Sequence, residues 1–97
     1  MDASRVELES LWRSRLQEAQ LRLDFARNFL KEVQQDFPLS EPSTDGRYAY
    51  RRAIRLERLA LQEYRHIQRI LHDLVVNGKV PDEKEWRRRM APGAGLT

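Results

Sequence analysis

The sequence predicts an all-α protein, a long antiparallel helical hairpin plus a short C-terminal helix, assembling into a helical bundle oligomer. Three observations carry this expectation. Apolar residues recur at helical spacing along two long stretches. Neither stretch is interrupted by proline or glycine, and the segment from Pro38 to Gly46 that divides them holds two prolines, two serines and a glycine. The apolar surface of the first stretch is wider than one partner helix would cover, which asks for further helices.

Helix 1 is expected over about 4–37. Its seam consists of Trp12, Leu16, Ala19, Leu23, Ala26, Leu30, Val33 and Phe37, with gaps alternating between four and three. That rhythm keeps one narrow face turned to a neighbouring helix. Ser4 and Glu7 stand at capping-box spacing at its start. Glu9 with Arg13 and Glu18 with Arg22 are i,i+4 pairs in the favourable order. Leu21, Phe25 and Phe29 form a second ridge beside the seam.

A loop is expected over 38–46, because Pro38 cannot supply a helical N–H and biases Phe37 away from helical angles. Ser43, Thr44 and Asp45 are all competent to cap the helix that follows. Helix 2 is expected over about 47–77, with Ala49, Ala53, Leu56, Ala60, Tyr64, Ile67, Leu71 and Leu74 facing inward. Its seam has a four-residue gap between Ala60 and Tyr64 where three was due, a stutter that locally unwinds it. Folded back, the hairpin sets Ala19, Leu16 and Trp12 against Tyr64 and the cluster from Ile67 to Val76. Gly78 fits the left-handed position after the helix. Asp82 and Glu85 suit a capping box for a short helix over about 82–90, with Pro81 and Trp86 as its hydrophobic staple. The tail over 91–97 is expected to be disordered. Residues 1–90 are read as one domain, the size that 97 residues allow.

Composition narrows the function classes. The chain has no cysteine, which excludes disulfides and thiolate metal sites and fits a cytoplasmic location. No apolar run is long enough to span a membrane, and the N-terminus is not a secretory signal. No nucleophile–base series, phosphate loop or paired catalytic carboxylates appear, so no enzyme, catalytic residue or cofactor is expected. His72 reads as a helix-flank residue, and Trp12 and Trp86 as packing anchors.

The first functional reading is a structural or regulatory protein acting through self-association, as a homodimer or higher oligomer, or through another protein. Leu21, Phe25, Phe29, Ile54 and Leu61 are the interface candidates, since two helices alone leave them uncovered. The alternative is a nucleic-acid-binding hairpin. Arg47, Arg51, Arg55, Arg58, Arg65 and Arg69 line up opposite the helix 2 seam, over roughly 33 Å at 1.5 Å per residue. Arginine forks match phosphate oxygens, although no aromatic residue on the ridge would stack bases. The preferred reading of the ridge is a solvated face, or one that meets acids such as Asp24, Glu32 and Asp36 on a neighbouring subunit. The weakest reading is a ferritin-like half-site, in which Glu63 and His66 would share a metal.

Overall fold

The computed structural model describes residues 2–36 and 44–90. Among these residues the chain forms three helices and no strand: α1 over Asp2–Asp36, α2 over Thr44–Asn77 and α3 over Glu83–Met90. The two long helices pack against each other along their lengths, in a body of 60 × 30 × 16 Å. They form a single layer with two broad faces, and α3 lies on one of them. None of the helices is long and apolar enough to cross a membrane.

The α1 seam is seen directly. Trp12, Ala19, Leu23, Ala26 and Val33 are buried, and Leu16 and Leu30 are half-buried between them. Phe37 lies outside the described residues. On α2 the buried positions follow a stricter rule. Gly46, Ala53, Ile67 and Leu74 are buried at multiples of seven residues, and Ala60 fills the remaining place half-buried. Leu56, expected to face inward, is 40% exposed. A spacing of seven on a 3.6-residue helix keeps Ala53 and Ala60 on the contact line and turns Leu56 to its flank. Val75 and Val76 are exposed as well, so the inward cluster ends at Leu74.

Large side chains meet small ones in this seam. Trp12, Ala19, Ile67 and Leu74 form one cluster, joined by Leu8, Leu16, Tyr64, Ile70, Leu71 and Trp86. Interiors close to crystal density require such matching, because a void forfeits dispersion contacts on every side.

The helix ends depart from expectation in two places. α1 begins at Asp2, which puts Ser4 inside its first turn rather than at its cap. α2 begins at Thr44, so Thr44, Asp45 and Gly46 are helical rather than loop. Asp45 favours that start because a carboxylate complements the positive end of the helix dipole. Gly46 is buried there, one heptad before Ala53. The expected loop residues 38–43 and tail 91–97 lie outside the described residues.

At the other end of α2, Gly78 adopts φ 65°, the left-handed conformation that glycine takes at least cost. The Lys79 N–H donates to the Asp73 carbonyl at 3.1 Å. The Arg5 guanidinium donates to the Leu74 and Val75 carbonyls, each at 3.2 Å. The last carbonyls of any helix lack intrahelical donors, so a cation from α1 meets both their hydrogen-bonding need and the negative end of the dipole. For α3, Asp82 is the cap: its Oδ1 accepts from the Lys84 N–H at 3.0 Å and the Glu85 N–H at 3.2 Å.

Candidate interaction surface and the α3 junction

α3 is held to the hairpin by an aromatic and ionic cluster. Trp86 meets Trp12 edge-on, with ring centroids 5.0 Å apart and planes at 72°, and stacks on the His66 ring at 5.9 Å and 15°. The two tryptophans read separately as packing anchors thus anchor each other. Arg15 lies over both rings, 4.6 Å from the Trp12 centroid and 5.5 Å from that of Trp86. Its guanidinium also grips Glu83 with two hydrogen bonds of 3.0 and 2.5 Å. One side chain therefore supplies a cation–π contact and a bidentate ion pair, the two interactions for which guanidinium suits better than ammonium.

This pairing holds the Glu83 carboxyl below its ordinary range, chiefly through the hydrogen bond from Arg15. His66 is shifted down too, first by burial and then by the neighbouring Arg89 and Arg69, with Glu85 opposing. Arg89 Nη1 lies 3.0 Å from His66 Nε2. Arginine can only donate, so Nε2 accepts, and the imidazole is the neutral form with its proton on Nδ1. An open pocket of about 280 Å³ lies between Trp12, Ile70, Val80, Pro81 and Trp86, with Asp73 and Lys79 at its sides.

Glu63 and His66, the candidate metal ligands, are both engaged by guanidinium groups. Arg22 of α1 crosses to the Glu63 carboxylate rather than pairing with Glu18 on its own helix. Arg89 takes the ring nitrogen of His66. Among the described residues no three histidine or carboxylate side chains are gathered as a metal would need.

Among the described residues, nothing covers the other half of the face that carries α3. Residues seven apart lie on one stripe of a helix, since two turns return almost to the same direction. On α1 the stripe of Arg15 and Arg22, both in contact with residues of this face, continues to Phe29 and Asp36. The stripe beside it runs through Glu18, Phe25 and Glu32. On α2 the stripe of Glu63 and Ile70 begins at Leu56, and that of His66 begins at Arg52 and Leu59. Each stripe is polar or covered by α3 at one end and carries an exposed or half-buried apolar residue towards the other. Phe25 is 72% exposed, Leu21 68%, Leu59 56%, and Phe29 is half-buried. Ile54 and Leu61, grouped with these from the sequence, are half-buried and belong to the opposite face of the layer. Leu56 and Leu59, 40% and 56% exposed, lie on the same face as Phe25.

The six arginines of the ridge, Arg47, Arg51, Arg55, Arg58, Arg65 and Arg69, are all exposed. They run along the outer edge of the layer, opposite the seam. None of them makes an ion pair or hydrogen bond to another described residue, and only Arg69 acts on a neighbour, through the field that it exerts on His66.

No protein-family model matches the chain, and no curated protein or solved structure matches it.

Proposed function

We propose that this protein is a non-enzymatic helical module that works by self-association, through the bare half of the face that carries α3. The observation that carries this reading is the exposure of Phe25, Leu56 and Leu59 on this face, with Phe29 half-buried beside them. Scattered exposed leucines are ordinary on protein surfaces, whereas an apolar patch rimmed by charges marks an interaction site. Leaving a large apolar side chain in water forgoes about 1.5–3 kcal/mol of burial. Several together are a large fraction of a domain stability of about 5–15 kcal/mol. A second hairpin laid on the patch completes a four-helix arrangement. Nothing in the α3 junction resembles a nucleophile with its base, and the perturbed groups there, Glu83 and His66, are engaged in holding α3. Sedimentation equilibrium at micromolar concentration tests the reading. A dimer or higher oligomer is expected, and a fully folded monomer at that concentration would refute it.

A second reading rests on the arginine ridge. Six exposed guanidinium groups without a counter-charge among the described residues repel one another, and nucleic-acid phosphates would neutralise them while releasing counterions. In that case fluorescence anisotropy with labelled oligonucleotides shows binding that weakens steeply with salt. Arg51→Ala, Arg58→Ala and Arg65→Ala together flatten that slope. The absence of binding in low salt eliminates this second reading.

A further inference from the structure

We infer that the arginine ridge takes a single nucleic-acid strand, laid straight along α2 and held by its phosphodiester backbone without regard to base sequence. This inference rests on the nucleic-acid reading above and specifies the form of the ligand.

The row is continuous. The outward stripe of α2 advances by three or four residues at a time, and between Arg58 and Arg65 it passes through Gln62. Every other place from Arg47 to Arg69 is an arginine, Gln62 is exposed like its neighbours, and no carboxylate stands in the row. Steps of three or four residues set adjacent places about 4.5–6 Å apart along the axis. Successive phosphates of an extended strand have a comparable separation, and a guanidinium fork can take phosphate oxygens two at a time.

The rest of the molecule leaves these charges uncompensated. Among the described residues the ion pairs are made by Arg5, Arg13, Arg15 and Arg22 of α1 and by Arg87 of α3. No arginine of α2 takes part in one. Asp73, one turn beyond Arg69, accepts instead from Asn77 at 3.3 Å. Like charges gathered on one face build the potential that draws a polyanion.

Straightness selects the single strand. α2 is one unbroken helix from Thr44 to Asn77, so the row runs for roughly 33 Å in one direction, about one turn of a B-form duplex. Over one turn each strand of a duplex winds fully around the axis. A straight row laid along it meets each backbone about once. A single strand can straighten and meet a guanidinium at almost every phosphate. Tyr48, 70% exposed and three residues before Arg51, stands beside the row and offers a surface on which one base can stack. The row follows the outer edge of the layer, so pairing of two copies through the α3 face leaves it open.

Fluorescence anisotropy on the full chain tests this, comparing a labelled single strand of mixed sequence, as DNA and as RNA, with the matching DNA duplex. The single strands are expected to bind about tenfold or more tightly than the duplex, with a salt slope near −4 (about −0.7 for each of six phosphates) against about −2 for two duplex contacts. A duplex that binds as tightly as the single strand overturns the inference and leaves the nucleic-acid reading standing. No binding of either in low salt overturns both. A gain-of-function pair separates the row from net charge, at two exposed positions whose replacement leaves the core intact. Gln62→Arg completes the row and is expected to tighten single-strand binding and steepen the slope by about 0.7. Gln17→Arg adds the same charge on α1, outside the row, and is expected to leave the slope unchanged. Equal gains from the two variants mean attraction to net charge alone, and refute a strand aligned on α2.

Discussion

The two halves of the α3 face are made from the same helical stripes and end in opposite states. Towards the α3 end, Arg15, Arg22, Glu63, His66 and Ile70 are covered or engaged in cross-helix pairs. Towards the tip, the same stripes present Phe25, Phe29, Leu56 and Leu59 to solvent, with only Phe29 half-buried. The half rich in polar groups is the covered one, and the half rich in apolar groups is bare. A single folded chain would ordinarily distribute them the other way. The difference teaches that α3 covers only one half of the face. It goes where arginine, carboxylate and tryptophan can satisfy one another, and so leaves the apolar half available.

Substitutions break this comparison, the largest effects coming from the covered end. Trp12→Ala removes a fully buried ring that supports both the Ile67–Leu74 cluster and Trp86. It is expected to cost about 3–5 kcal/mol in chemical denaturation. Leu23 and Leu21 stand two residues apart on opposite sides of α1, 2% and 68% exposed. Leu23→Ala is expected to cost about 2–5 kcal/mol. In the monomer Leu21→Ala is expected to stay within about 0.5 kcal/mol. Equal losses would mean that the seam does not run where the burial pattern puts it.

At the bare end, Phe25→Ala with Leu59→Ala separates folding from association. Thermal melts at high dilution are expected to move little, while the concentration at which oligomer forms rises about tenfold or more, each truncated contact being worth about 1 kcal/mol or more. A fall in melting temperature without any change in association would reverse the assignment of the two halves.

The smallest effect is that of pH. His66 titrates lower in the folded protein than in the unfolded chain, so the unfolded chain binds its proton first. Stability is then complete above the ordinary histidine range and declines as pH falls from about 6.5 towards the lowered value. Glu83 acts in the same direction at lower pH. Its contribution is present above the ordinary carboxylate range and is lost as pH falls through its depressed value. Tryptophan fluorescence is expected to report α3 loosening in two stages on acidification. His66→Gln should abolish the first and Arg15→Gln the second.

Much of the hairpin was legible from the residues alone. The alternating gaps on α1 identified Trp12, Ala19, Leu23, Ala26 and Val33, and Gly78 marked the end of α2, because these features follow from the local period and from backbone sterics. Leu56 misled because it fits a four-and-three rhythm as well as a seven-residue one, and only the packed partner distinguishes them. Arg5 gave no local signal as a cap, since the carbonyls that it satisfies belong to Leu74 and Val75 at the far end of the chain. Glu63 and His66 matched a metal-binding spacing within one helix, yet the groups that engage them, Arg22 and Arg89, come from the other two.

The sequence by itself determined the two long helices, the α1 seam and the short capped helix, because hydrophobic period, proline, glycine and capping chemistry act within a few residues of where they are read. Only the tertiary structure decided which face α3 occupies, that Trp12 and Trp86 meet, and that Phe25 shares a bare surface with Leu59 rather than Ile54. Those outcomes depend on how two helices are rotated about the seam. A helical period defines a face but not what lies beside it, and that remains open until both helices are packed.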